Sequence, residues 1–278
     1  MSKRIIARQF QPSIDGHTLN QEIVDLLDPY LRSAFVNGRT PTLSHISANA
    51  KLADSFTRTI TSESPRIKYV RRRHEFKRAL HWGQLKLILT EIEFLTKILE
   101  QYHENKSNLP ITLVYAGAAP GDHIDYLQRL FPMITFELYD PNPFTVKDSD
   151  TVHTHVQFFT EVDAKYWASQ HSTVHLVFCS DIRTEPANDE NVRANMAMQL
   201  EWWKILRPIL SMVKFRLPWN EGSTDYPEGT IQIQPFPGPT STETRLIIKQ
   251  EAKTISYDNV AYEQQCFYHN TVVRKWRF

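Results

Sequence analysis

The sequence predicts an α/β fold of Rossmann-like type, with a mainly parallel central sheet and an antiparallel C-terminal edge. Three observations lead there. Short apolar runs rich in β-branched residues alternate with helical patterns between residues 111 and 217, which is the pattern of βαβ units. The first of those runs ends in Gly117-Ala-Ala-Pro-Gly121, a small-residue turn between a strand and a helix. Two later runs, Thr230–Gln234 and Thr244–Ile248, have no helix between them and so read as an antiparallel pair.

The elements follow in order. Residues 1–80 show little periodicity; Asp15-Gly16 and Asn37-Gly38 are turn signals, Gln21–Leu31 fits a short helix, and the Ser/Thr-rich stretch 57–66 fits a loop. Leu85, Ile88, Leu89, Ile92, Leu95 and Leu99 recur at three and four residues, which predicts an amphipathic helix from Gln84 to about Glu104. Ile111–Ala116 is a buried strand, Asp122–Leu130 a helix, and Ile134–Tyr139 a strand closed by Asp140. Val162–Gln170 is helical, Val174–Cys179 is a strand closed by Ser180-Asp181, Val192–Leu206 is helical, and Ser211–Leu217 is a strand that contains Lys214. Val260–Tyr268 fits either a last helix or a last strand.

Composition narrows the classes of function. Lys plus Arg is 32 against 31 Asp plus Glu, so a formal charge of +1 excludes nucleic-acid binding by bulk charge. A basic cluster at 68–78 is either a solvated face or a phosphate contact. Cys179 and Cys266 are too few for a disulfide framework, which points to a reducing compartment. No apolar run reaches the ~18–20 residues of a membrane span, and the N-terminus lacks the apolar region of a secretory signal. Glycine is scarce at 8 in 278 residues, so the two at Gly117 and Gly121 carry weight.

Those two glycines let the backbone approach a ligand closely at the carboxyl end of a strand. Their spacing matches neither the dinucleotide fingerprint nor a phosphate-cradling Gly-Lys-Ser/Thr loop. Asp140 closes the next strand, where a carboxylate can accept both hydroxyls of a ribose. Together they suit an adenosine-bearing ligand without an essential pyrophosphate, such as S-adenosyl-L-methionine. A second set of residues is out of place: Lys86 in the most apolar helix, Asp181 and Lys214 at or within strands, and Glu243 at the start of another. Buried charges need partners, so these four form either a structural ion-pair cluster or a reactive centre.

The chain resembles the poxvirus cap-specific mRNA (nucleoside-2′-O-)methyltransferase family, whose members double as the regulatory subunit of a viral poly(A) polymerase. The resemblance runs through Gly83-Gln-Leu-Lys86, Val114–His123, Ser180–Arg183, Lys214–Trp219, Thr242–Leu246 and Tyr262–Tyr268, roughly residues 80–275. It implies a methyltransferase domain over 81–278, with 1–80 as a partly irregular N-terminal extension open to cap, RNA or partner contacts. It implies a catalytic tetrad of Lys86, Asp181, Lys214 and Glu243. For S-adenosyl-L-methionine it implies Gln84, Tyr115, Gly117, Ala118, Pro120, Gly121, His123, Asp140, Asp181, Ile182 and Arg183. Asn142 stands where the family has an arginine.

The implied chemistry is in-line methyl transfer to a ribose 2′-hydroxyl, which is a poor nucleophile until a base takes its proton. A lysine serves if burial and a neighbouring cation lower its pKa, which casts Lys214 as base and Lys86 as the neighbour. No metal is expected, and His153 and His155 lack a trusted ligand spacing. An N7-methylated guanine is a flat cation that suits aromatic stacking. The resemblance puts one ring at Trp219, where poxvirus sequences carry Phe, and acceptors at Glu221 and Glu263. Tyr69 is the expected second ring, with Tyr30 and Trp82 as alternatives. Arg183, Arg216, Arg245 and the Arg71–Arg73 run are candidates for RNA phosphates. The expected partners are the capped mRNA 5′ end and a viral poly(A) polymerase catalytic subunit, with no membrane. The expected location is the cytoplasm of an infected host cell, with packaging in the virion as an extension.

Overall fold

The computed structural model describes residues 13–14, 17–18, 58–70, 81–104, 109–184 and 188–273, leaving out the side chains of 13–14, 17–18, 81–84 and 103–104. The chain divides into two compact units. The first takes residues 1–58 and 269–278, and its described parts include a small antiparallel pair, β1 (Ser13–Ile14) and β2 (His17–Thr18), and a π-helical turn at His269–Val273. The helix expected at 21–31 lies outside the described residues.

The second unit, Thr59–Tyr268, holds an eight-stranded sheet. In chain order its elements are β3 (Thr59–Ile60), α1 (His81–Glu104), β4 (Ile111–Ala116), α2 (Ile124–Leu130), β5 (Ile134–Asp140), β6 (Val152–Val156), α3 (Glu161–Ala168), β7 (His175–Ser180), α4 (Asp189–Leu206), β8 (Leu210–Phe215), β9 (Ser223–Pro227), β10 (Gly229–Ile233), β11 (Thr244–Lys249), β12 (Thr254–Asp258) and α5 (Asn259–Tyr268). The sheet order is β3-β10-β11-β8-β7-β4-β5-β6, and β9 pairs with β12 in a separate ribbon. Strands β8, β7, β4, β5 and β6 run parallel; β11, β10 and β3 add antiparallel.

This unit begins at Thr59, ahead of residue 81 where the sequence reading starts its main domain. The reason lies in 59–64, a stretch expected to be wholly loop. Thr59 and Ile60 pair with β10, Ile60 is buried, and the Gln265 side-chain amide donates to the carbonyls of Thr61 and Ser64 at 3.0 and 3.2 Å. Three further strands escaped the sequence reading. β6 spells Val-His-Thr-His-Val, and β9 and β12 carry Ser, Thr, Asp and Pro, so no apolar run marks them.

Period-two alternation divides the core between the sheet's two faces. Val114, Ala116, Phe178, Val213 and Phe215 lie on one face with Trp202 of α4. Leu113, Tyr115, Val177, Cys179 and Met212 lie on the other, against Phe94, Leu95 and Ile98 of α1 and Ile124 and Leu127 of α2. Strand β4 is buried along its full length, as a central parallel strand requires. From β4 the chain goes one way to β5 and β6 and the other way to β7 and β8, so the switch point lies between β4 and β7. Ligands bind at the carboxyl ends of strands at such a point. Among the described residues no helix is long and apolar enough to cross a membrane, and no cluster of three or more His, Cys, Asp or Glu could hold a metal ion.

Candidate active site

A cavity of about 710 Å³ opens at the carboxyl ends of the parallel strands. Gly117 forms part of its rim with φ +82°, a left-handed backbone that L side chains rarely adopt. A Cβ there would sit 2.8 Å from the Ile182 amide nitrogen and 2.9 Å from the Asp181 carbonyl carbon. The β4 turn and the segment after β7 therefore approach as closely as backbones can, and only glycine fits. Gly121 also has positive φ, and Ala119-Pro120 is a cis peptide.

Asp140 ends β5 and lines the cavity. One carboxylate oxygen accepts from the Ala119 amide at 3.3 Å, and the other accepts from the main chain and side chain of Asn142 at 2.8 and 2.9 Å. Asn142, at the position where an arginine was expected, thus orients the carboxylate. Tyr139, Phe158, Phe159 and Trp202 line the same cavity. Tyr139 is fixed by stacking on His155, 4.2 Å between centroids, and by a hydrogen bond from the Trp167 indole at 3.0 Å. The sequence reading missed this aromatic wall. The adjacent pair Phe158-Phe159 beyond a strand end was the available signal.

Tyr115 and His123, both expected at the cofactor, do not line this cavity. They meet Glu91 of α1 beneath the glycine turn. The Tyr115 hydroxyl donates to Glu91 at 2.8 Å, and His123 Nε2 lies 2.8 Å from the other carboxylate oxygen. Burial works against a charged His123, but the hydrogen bond and charge of Glu91 outweigh it and raise its pKa. Burial, then Glu91, pushes the Tyr115 phenol up. Ala118 and Gly121 are buried and Pro120 is exposed. The Gln84 side chain lies outside the description.

Lys86, Asp181, Lys214 and Glu243 all line the one cavity. The strands explain how. In the β8–β11 ladder Lys214 lies opposite Arg245. Two cations directly opposite would repel, and Asp181 offsets this from the end of β7. Its Oδ1 is 3.0 Å from Lys214 Nζ and 2.5 Å from Arg245 Nη2. Lys214 Nζ also donates to the Asp181 carbonyl at 3.0 Å. Glu243 accepts from Arg245 at 3.3 Å and from Arg183 at 3.1 Å. The Tyr262 hydroxyl, 2.6 Å from the Thr242 carbonyl and 3.2 Å from that of Phe215, ties this segment to β8. Burial would raise the Glu243 pKa, but Arg245, Lys214, Arg183 and Lys86 together lower it to about 2.

Arg245 corrects one expectation. It was a candidate for RNA phosphate, yet it is 2% exposed and holds both carboxylates of the cluster. Burial opposes its charge and the two carboxylates more than restore it, raising its pKa. Arg183 is exposed and lines the cavity. The Arg71–Arg73 run and Tyr30 lie outside the described residues, as does the Trp82 side chain.

Two of the residues expected to read a cap converge on the segment 240–242. Trp219 is 43% exposed, and its indole N–H donates to Thr242 Oγ1 at 3.1 Å. The Tyr69 hydroxyl donates to the Thr240 carbonyl at 3.1 Å. Glu263 is half-buried, and burial raises its carboxyl, with Arg216 pulling it down and Asp189 pushing it up. Glu221 lies exposed two residues after Trp219. Arg216 stacks on Trp219 with Cζ 3.9 Å from the ring centroid and pairs with Asp189 at 2.8 Å.

The chain is similar to several viral proteins. A fowlpox virus protein named cap-specific mRNA (nucleoside-2′-O-)-methyltransferase is 30% identical over 219 residues, 69% of this chain and 68% of that protein. A myxoma virus protein of the same name is 28% identical over 220 residues, 71% of this chain and 63% of that one. The chain thus spans about two thirds of the length of these relatives. Bluetongue virus VP4, described as a multifunctional RNA-capping production line, aligns with a TM-score of 0.43 at 14% identity, covering 58% of this chain and 32% of that one. The model of the poly(A) polymerase regulatory subunit family matches residues 59–277, the whole of the second unit and beyond, and the chain belongs to that family.

Proposed function

We propose that the chain methylates the ribose 2′-hydroxyl at the 5′ end of N7-methylguanosine-capped mRNA, converting cap-0 to cap-1, with S-adenosyl-L-methionine as donor. The observation that carries this reading is the convergence of Lys86, Asp181, Lys214 and Glu243 on one cavity beside the Gly117 turn. The similarity to proteins named for this reaction supports it.

The residues present fit the donor. The Gly117 turn brings the ends of β4 and β7 together at the cavity rim, Asp140 is an oriented carboxylate suited to ribose hydroxyls, and the wall of Tyr139, Phe158 and Phe159 suits a flat purine. When bound, S-adenosyl-L-methionine supplies a methyl already activated on a sulfonium. The chain is left to orient the acceptor and move one proton. Lys214 Nζ takes the proton from the 2′-hydroxyl. Asp181 holds that amine through its carboxylate and its carbonyl, so the nitrogen points into the cavity. Lys86 brings a second cation, and Glu243, itself held by Arg245 and Arg183, limits the net charge. Trp219 and Tyr69 present the aromatic faces for the methylated base, with Glu221 and Glu263 as acceptors for its N–H groups.

The test is transfer of labelled methyl to three RNAs of one sequence: N7-methylated cap, unmethylated cap and uncapped. Strong preference for the first is expected. Equal rates on all three would assign the same chemistry to a non-cap RNA. A second reading, as the RNA-binding accessory subunit of a viral poly(A) polymerase, is favoured by the family match. Longer tails made by that polymerase in the presence of this chain would establish it, alone or alongside methylation.

A further inference from the structure

Trp219 is exposed, yet its position is fixed from three directions. Its indole N–H is held by Thr242, its main-chain N–H donates to Asp189 Oδ2 at 3.2 Å, and Arg216 covers part of the ring. Arg216 in turn gives its Nη2 hydrogen to Asp189 Oδ1 at 2.8 Å. A single carboxylate therefore secures both the main chain of the tryptophan and the guanidinium against its ring. Asp189 is well placed for this. It opens α4 after the N-cap Asn188, where the helix dipole favours a negative charge.

We propose that Asp189 is a positioning residue for the Trp219 platform and sets its preference for an N7-methylated, cationic guanine over a neutral one. This rests on the cap-reading function above. The argument is one of charge and order. A flexible surface indole loses affinity when binding must order it, and the three anchors remove that cost beforehand. A cation is drawn to an aromatic face by the ring quadrupole. A guanidinium already on the ring would oppose a second cation there unless its charge were offset, and Asp189 supplies the offset. A neutral guanine stacks on the same ring without sensing that balance strongly.

The experiment measures binding of N7-methyl-GTP and GTP to the full chain by calorimetry, for wild type, Asp189→Asn and Arg216→Gln. Wild type should prefer the methylated nucleotide. Asp189→Asn leaves the guanidinium uncompensated, so affinity for N7-methyl-GTP should fall roughly five- to tenfold, well beyond any loss for GTP. Its kcat at saturating capped RNA and its binding of S-adenosyl-L-methionine should stay at wild-type values, with the loss confined to KM for RNA. Arg216→Gln shifts the balance the other way, leaving Asp189 negative, and the ratio of methylated to unmethylated affinity should rise. If both variants lose both nucleotides alike, or the ratio in Arg216→Gln falls, the charge role of Asp189 is overturned. Should Asp189→Asn fail to fold, the direction of the ratio in Arg216→Gln decides alone. A wild type with no preference refutes the cap reading itself, which is a separate failure.

Discussion

The two halves of the sheet meet at β8 and build their parts of the site differently. The parallel half sets strand-end carboxylates, Asp140 and Asp181, around a backbone feature, the close approach of the Gly117 turn to Ile182. The antiparallel half works with side chains on a ladder and on the loop before it: Glu243 and Arg245, with Trp219 and Tyr69 anchored on residues 240–242. Lys214 belongs to both, since β8 pairs parallel with β7 and antiparallel with β11. Where backbones meet this closely, no bulk can be added at Gly117. A half that relies on side chains can be altered one group at a time.

The largest effect that separates the halves is expected at the seam. Lys214→Ala should lower methyl transfer to capped RNA by about 10²–10⁴-fold, the range for loss of a general base, with cofactor binding intact by calorimetry. Activity surviving that change would take the proton-accepting role away from this amine. On the parallel side, Gly117→Ala forces a left-handed alanine against the Ile182 and Asp181 backbone. It should cost about 1–3 kcal/mol of stability in thermal or denaturant unfolding and abolish measurable cofactor affinity. On the antiparallel side, Trp219→Ala should weaken binding of N7-methyl-GTP by about 0.5–2 kcal/mol and leave unfolding nearly unchanged.

The smallest effect concerns pH. The Glu243 carboxyl is held down at about 2 because its cationic neighbours, Arg245 foremost, overcome the burial that would raise it. A carboxyl depressed below its ordinary value of about 4.5 binds protons more readily in the unfolded chain. Its contribution to stability is therefore present above pH 4.5 and fades as pH falls from there through 2. Glu243→Gln should flatten the pH dependence of unfolding in that acid window alone. An unchanged slope there would mean that the ion cluster does not bear on folding.

The same division explains what the sequence disclosed. The glycine turn, Asp140 and the strands β4, β5, β7 and β8 were legible because buried strands are apolar and tight turns need glycine. The four charges of the reactive cluster were legible as misfits within apolar runs, but their common cavity was not, because it depends on the register that sets Lys214 opposite Arg245. That register also turned Arg245 from a presumed phosphate contact into the bridge between Asp181 and Glu243. Tyr115 and His123 were legible as neighbours of the turn; their engagement with Glu91, far upstream on α1, was not. Asp189 carried no local signal, since an acidic residue in the first turn of a helix is ordinary.

Placing the proposed proton acceptor on β8 has a consequence for how the molecule would fail. Side chains alternate along a strand, so a one-residue slip of β8 against β11 would send the Lys214 amine to the opposite face of the sheet and part Asp181 from Arg245. The proposed donor pocket, framed by β4, β5 and β7, would survive such a slip. A partly assembled chain would then hold its cofactor idle, and methylation would vanish while occupancy stayed high.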